Sequence, residues 1–173
     1  MNLSTVHLLI LDVDGVLTDG RVEMSAEGEP VKAFFVRDGA AIKLWQRAGG
    51  QVAIISGRKE QSVLRRAKEL GIDAVQIGVS DKLAAYQQLL TDSRCEESSI
   101  CYIGDDLPDL TPMLRCGFAV AVADAAHAVK RIAHYVTKRP GGRGAVAEVI
   151  ELLLRKRGQW SNLVRESGIP PGP

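Results

Sequence analysis

The chain predicts an α/β fold on a mainly parallel sheet, and three observations carry that prediction. Short apolar runs alternate with amphipathic stretches along most of the 173 residues, the pattern of repeated βαβ units. The first run, residues 6–13 (VHLLILDV), is apolar almost without interruption, as in a strand covered on both faces. Strand ends along the chain carry clustered polar residues, where parallel α/β sheets bind their ligands.

Residues 51–56 (QVAIIS) give a second strand, ending at Gly57-Arg58. A helix over 59–70 follows, with Val63, Leu64, Ala67 and Leu70 at helical spacing and Gly71 as its stop. Residues 74–77 form a short strand, and 82–90 a helix turning Leu83, Tyr86, Leu89 and Leu90 inward. The strand over 100–103 runs straight into Gly104-Asp105-Asp106. Two further strands, 118–122 and 135–136, are separated by a helix over 125–133, and the last helix covers about 145–157. One insertion breaks the alternation. Between the first strand and a helix beginning near Gly39, residues 20–36 alternate Val22 and Met24 with Val31, Phe34 and Val36 around Glu27-Gly28. That reads as a β-hairpin flap lying over the strand ends. Residues 158–173 lose periodicity and finish Ile169-Pro-Pro-Gly-Pro, the composition of a mobile tail. The expectation is a Rossmann-like three-layer sandwich with a small flap, one domain over 1–157 and a tail over 158–173.

Composition narrows the function. Twenty-two basic residues nearly cancel 21 acidic ones, leaving a formal charge of +1. That balance gives neither a nucleic-acid footprint nor a polybasic membrane patch, and points to a small molecule or a protein as partner. No stretch approaches the roughly 20 apolar residues of a membrane span. The apolar start is one strand long, lacks a basic leader and breaks at Asp12, unlike a signal peptide. Cys95, Cys101 and Cys116 form no CxxC pair and suit a reducing cytoplasm. Cys101, within an apolar strand, reads as buried and inert. His7, His127 and His134 read as strand or surface residues, and Trp45 as core or interface packing.

Chemistry collects at four strand ends: Asp12-Val-Asp14-Gly15, Ser56-Gly57-Arg58, Lys82, and Gly104-Asp105-Asp106 with Asp109 close behind. Phosphoryl transfer needs such a set. A phosphomonoester is a dianion, so a carboxylate nucleophile requires a cation between itself and the phosphorus. Asp12, Asp14 and Asp105, with Asp109 nearby, offer hard oxygens suited to Mg²⁺. Ser56, Lys82 and backbone N–H groups near Gly15 and Gly57 suit the phosphate oxygens. Asp12 would attack as nucleophile, and Asp14 would serve as general acid and then base.

In order and spacing, Asp12-Val-Asp14-Gly15-Val-Leu-Thr18, Ser56-Gly57-Arg58, Lys82 and Gly104-Asp105-Asp106-x-x-Asp109 resemble the four motifs of the haloacid dehalogenase superfamily. A hairpin in place of a cap domain resembles its capless subfamily. So do Asp19-Gly20, Val36-Arg37-Asp38-Gly39, Val120-Ala121-Val122-Ala123-Asp124 and Gly141-Gly142-Arg143-Gly144-Ala145-Val146. The resemblance implies a Mg²⁺-dependent phosphatase for an eight- or nine-carbon sugar acid phosphate. Within that resemblance, the family pattern at Arg58 implies 3-deoxy-D-manno-octulosonate 8-phosphate, a precursor for lipopolysaccharide, rather than a nonulosonate 9-phosphate. The resemblance further implies a homotetramer with flaps packed together and a tail reaching a neighbouring subunit's site. Asp38 and Arg143 join Arg58 as implied substrate contacts, although Arg143 reads equally as a surface residue. One of Phe34 and Phe35 reads as an interface residue. The chain departs from the family pattern at Ala147, where an arginine is common, and in its tail around Trp160 and Arg165.

Blander readings exist for each part alone. An Asp-x-Asp pair is common on loops, Ser-Gly-Arg makes an ordinary turn, and a lysine opening a helix is usually solvated. Three carboxylates at one strand end, however, repel one another unless a cation is present. A phosphoreceiver domain would place its acidic pair first, its phosphorylated Asp later and its lysine last. Here Lys82 precedes Gly104-Asp105-Asp106, and Asp14 stands ready to drive hydrolysis. A scaffold role would not require every catalytic position to be kept.

Overall fold

The computed structural model describes residues 2–24 and 30–166. Strand β1 (Leu8–Leu11) is followed by a hairpin of β2 (Glu23–Met24) and β3 (Pro30–Val31), which pair antiparallel. The expected turn at Glu27-Gly28 lies outside the described residues. Helix α1 (Val36–Arg47) then leads to β4 (Gln51–Ser56), α2 (Gln61–Leu70) and β5 (Ala74–Ile77). The chain continues through α3 (Lys82–Ser93), β6 (Ile100–Gly104), the single-turn α4 (Leu110–Met113) and β7 (Phe118–Ala121). It finishes with α5 (His127–Ile132), β8 (Tyr135–Val136), α6 (Ala145–Lys156) and α7 (Trp160–Glu166).

Six strands form one sheet in the order β5-β4-β1-β6-β7-β8, and every neighbouring pair is parallel. The expected α/β architecture is present. α1 packs on α6 and α2, while α4 packs on α3 and α5, giving the helical layers of the sandwich. All four residues of β1 are buried, as its unbroken apolar run requires. Leu9, Ile10, Leu11, Ile55 and Ile103 are fully buried, each worth roughly 1.5–3 kcal/mol of apolar transfer.

Topology decides where the site lies. β1 is flanked by β4, next in the sheet by way of α1, and by β6, reached only after the chain has crossed back from β5. The carboxyl ends of β1 and β6 therefore border the point where the winding reverses, the crevice in which open α/β sheets bind ligands.

Trp45 is a core residue: its indole N–H donates to the Gln51 carbonyl at 2.9 Å, and the Arg157 guanidinium lies 4.1 Å above its ring. Three expectations need correction. Leu64 points outward, 37% exposed, because the buried stripe of α2 runs through Val63, Ala67 and Leu70. α1 begins at Val36, not near Gly39. The stretch read as tail contains α7, whose Leu163 is buried and whose Trp160 packs against the core under the Arg155 guanidinium. Two apolar residues three apart in a seven-residue helix leave too short a period for sequence to reveal. Residues 167–173 of that expected tail lie outside the described residues.

Candidate active site

The turn after β1 is built to present carboxylates. Thr18 Oγ1 donates to the Val13 carbonyl (3.2 Å) and accepts from the Gly15 and Gly20 amides (3.4 and 3.3 Å), closing the turn from within. Gly15 sits at φ +89°, and a Cβ there would lie 2.1 Å from Asp105 Oδ2. Glycine thus lets the β1 turn and the β6 turn come close enough for their carboxylates to meet. A second glycine-rich loop braces the same turn. The Gly142 amide donates to the Val16 carbonyl at 2.9 Å, and a Cβ on Gly141 would lie 1.7 Å from the Gly15 oxygen.

Lys82, first residue of α3, joins the two turns. Its ammonium reaches Asp12 Oδ1 at 2.7 Å and Asp109 Oδ1 at 2.6 Å, and its side chain is only 7% exposed. Asp81 caps α3 by accepting from the Leu83 and Ala84 amides, which fixes where Lys82 emerges. Asp109 is committed on both oxygens. Oδ1 takes Lys82 and the Tyr102 hydroxyl (2.8 Å), while Oδ2 takes the Asp105 and Asp106 amides (3.1 and 3.3 Å). Its carboxylate is a brace for the β6 turn.

Asp12, Asp105 and Asp109 can offer oxygens all within 4.8 Å of one another. One ammonium faces these three carboxylates. Burial, then the Asp109 charge, push Asp12 up to about 6 against the pull of Lys82. Burial, then Asp12 and Asp109, push Asp105 up to about 8. Asp105 Oδ1 is buried with no hydrogen-bond partner. An excess of buried negative charge and an orphaned hard oxygen are what a divalent cation such as Mg²⁺ would satisfy. The residues present fit it.

Asp14, expected among the metal ligands, has its side chain outside the Asp12–Asp105–Asp109 carboxylate cluster. Its carboxylate turns to the flap, where Oδ1 accepts from the Lys32 ammonium, and its side chain remains 23% exposed at the mouth. Lys82 bonds Asp12 and Asp109, while Asp14 pairs with the flap instead. Lys32 also lies 3.0 Å from Glu60 Oε2, and Glu60 Oε1 accepts from Arg58 Nε at 2.7 Å. Burial opposes the Glu60 charge, but Arg58 and Lys32 outweigh it and hold its carboxyl below the ordinary value.

Ser56 is fully buried at the end of β4, and its Oγ accepts from the Arg58 amide at 3.4 Å. Gly57, Arg58 and Arg143 are exposed on their loops. Asp38, expected as a substrate contact, is buried and bonded to backbone amides. It is 1% exposed and accepts from the Gly144 and Ala147 amides at 3.3 and 2.8 Å. Glycine at the N-cap of α6 supplies no side-chain cap, so Asp38 takes up the orphan N–H groups from a distance in sequence. Burial raises its carboxyl above the ordinary value, offset in part by those two amides. Sequence reasoning missed Lys32, Glu60 and Tyr102. The only signal was a charged or hydroxylated residue beside an apolar or motif position.

The haloacid dehalogenase-like hydrolase family model matches residues 75–150. The 3-deoxy-D-manno-octulosonate 8-phosphate phosphatase KdsC of Yersinia pestis is 48% identical over 151 residues, 87% of this chain and 81% of that protein. Its Escherichia coli K12 counterpart is 47% identical over 154 residues, 89% of this chain and 82% of that one. The crystal structure of the Moraxella catarrhalis phosphatase, in complex with magnesium, phosphate and KDO, superposes with a TM-score of 0.93 at 38% identity. It covers 96% of this chain and 95% of that one.

Two outcomes are expected. Asp38→Ala leaves two buried amides unpaired and lowers stability by about 1–3 kcal/mol in urea unfolding; weakened substrate affinity at unchanged stability would restore the substrate role. The second concerns the cation. Asp12 and Asp105 are raised from 3.8 to about 6 and about 8, so between those limits the cation-free fold holds protons that the unfolded chain has released. Its stability therefore falls as pH rises through that window. Mg²⁺ competes for the same oxygens, so the Tm gain from added Mg²⁺ should be larger at about pH 8.5 than at about pH 5.5. An equal gain at both, or a full gain in Asp105→Asn, would contradict the assignment.

Proposed function

The chain belongs to the 3-deoxy-D-manno-octulosonate 8-phosphate phosphatase family of haloacid dehalogenase-like hydrolases, and on that premise we propose that it hydrolyses this sugar phosphate through an aspartyl-phosphate on Asp12. The observation that carries the reading is the buried Asp12–Lys82–Asp109 bridge beside Asp105, at the point where the sheet's winding reverses. Asp12 and Asp105 are the side chains that would hold Mg²⁺. When bound, the ion offsets charge on the phosphate oxygens and lets the anions approach.

The chain's own residues do the rest. An Asp12 oxygen attacks phosphorus, the ester P–O bond breaks, and the departing alkoxide takes a proton from Asp14. Water then attacks the same phosphorus and gives its proton to Asp14 as the bond to Asp12 breaks, so both carboxyls return to their starting states. Lys82 keeps Asp12 in one orientation and supplies positive charge to the phosphate. Ser56 and the amide of Gly57 hold further phosphate oxygens. Arg58, kept at the mouth by Glu60, meets the sugar acid carboxylate together with Arg143.

Assembly follows the family as well. Val22, Met24 and Val31 on the flap are 47%, 61% and 53% exposed, and Val36 at the start of α1 is 78% exposed, an apolar surface that suits packing against other flaps in a homotetramer. Free Cys95, Cys101 and Cys116 suit a reducing cytoplasm. No described helix is long and apolar enough to cross a membrane. Residues 1–157 are read as the catalytic unit, with α7 docked beyond it.

Phosphate release from a panel of sugar phosphates, with Mg²⁺ and with chelator, tests the reading. The expected result is Mg²⁺-dependent preference for the octulosonate 8-phosphate, and a loss of about 10⁴-fold or more in Asp12→Asn with the fold intact. Preference for a nonulosonate 9-phosphate would overturn the substrate, and normal turnover by Asp12→Asn would overturn the nucleophile.

A further inference from the structure

The flap contributes more than a cover. Lys32 follows β3, and its side chain is 2% exposed, so its ammonium has left water for protein partners. Glu60 Oε2 stands 3.0 Å away on one side, and Asp14 Oδ1 accepts from it on the other. Glu60 is itself buried and tied to Arg58. A buried ammonium is held to its carboxylates by its own desolvation, since leaving either would strand an unpaired charge. Lys32 is therefore fixed from behind by Glu60 and grips one oxygen of Asp14 from the front.

We propose that Lys32 is a positioning residue for proton transfer: by occupying Oδ1 of Asp14, it fixes that carboxyl so that Oδ2 is the atom that exchanges protons with the leaving oxygen and the attacking water. The inference rests on the phosphatase reading, in which Asp14 is the acid and base. An aspartate on a turn, 23% exposed, otherwise samples several side-chain rotamers. Misplacement by about 1 Å at a reacting group costs about 10²-fold in rate. Lys32 touches neither phosphorus nor the leaving group in this scheme, and acts through Asp14 alone.

Leaving groups separate this role from flap anchoring. An alkoxide needs a proton to depart, whereas p-nitrophenolate is a far weaker base and departs without one. The value of kcat/KM reports the first, phosphoryl-transferring step for both esters. Lys32→Met should lower kcat/KM for the octulosonate 8-phosphate, or for another alkyl phosphate that the wild type hydrolyses, about 10-fold or more beyond any loss with p-nitrophenyl phosphate. Lys32→Arg, which keeps a charged donor, should recover most of the alkyl activity. In an Asp14→Asn background, Lys32→Met should add no further selective loss. Thermal melting confirms that each variant is folded. Equal losses for both esters, no loss at all, or an undiminished effect without Asp14 would overturn the assignment. A wild type that released no phosphate from any ester would instead overturn the phosphatase reading.

Discussion

One buried ammonium organises this protein. Lys82 bridges Asp12, just after β1, and Asp109, in the turn after β6, at 2.7 and 2.6 Å, deep enough that water screens little of the attraction. Its burial works against the charge, yet the two carboxylates raise its pKa above the ordinary lysine value. Removing one partner from such a bridge typically costs about 3–5 kcal/mol, because the remaining charges stay buried without it. The turns after two central strands are thereby locked to the start of α3. Charge neutrality nonetheless stops short: Asp105 remains, with an orphaned oxygen and a carboxyl pushed to about 8. The same electrostatics that hold the site together leave it short of one cation.

Close backbone approach is the second requirement, and it explains the glycines better than turn propensity does. A Cβ on Gly104 would lie 2.6 Å from the Asp109 Cβ, and one on Gly15 would strike Asp105. Asp38 extends this economy outward. By capping α6 from α1, it fixes the Gly141–Gly144 stretch that braces the nucleophile turn. Several residues that touch no reacting atom thus set the positions of those that do.

Much of this was legible in the sequence, for definable reasons. The parallel strands announce themselves as apolar runs because both their faces are covered, and the motifs stand out because strand ends in such sheets rarely gather so many acids. Asp12, Lys82 and Asp105 each have commoner uses alone, and stood out because their motifs fall in order at successive strand ends. Lys32 and Glu60 were not. Each is an ordinary charged residue until folding brings positions 18 and 28 residues apart against one another. The capping contacts of Asp38 were hidden for the same reason: its partners are backbone amides over 100 residues away, which no side-chain motif records. The helix α7 escaped because only two of its apolar residues, Trp160 and Leu163, pack on the core.

Catalysis through Asp12 requires a covalent bond between phosphorus and its carboxylate. Borohydride reduces an acyl phosphate to an alcohol, so quenching the enzyme with it during turnover and sequencing the peptides by mass spectrometry reads that bond directly. Homoserine at position 12, absent without substrate, is the expected result. An unmodified Asp12 during active turnover, or reduction at another carboxylate, would contradict the mechanism proposed for this site.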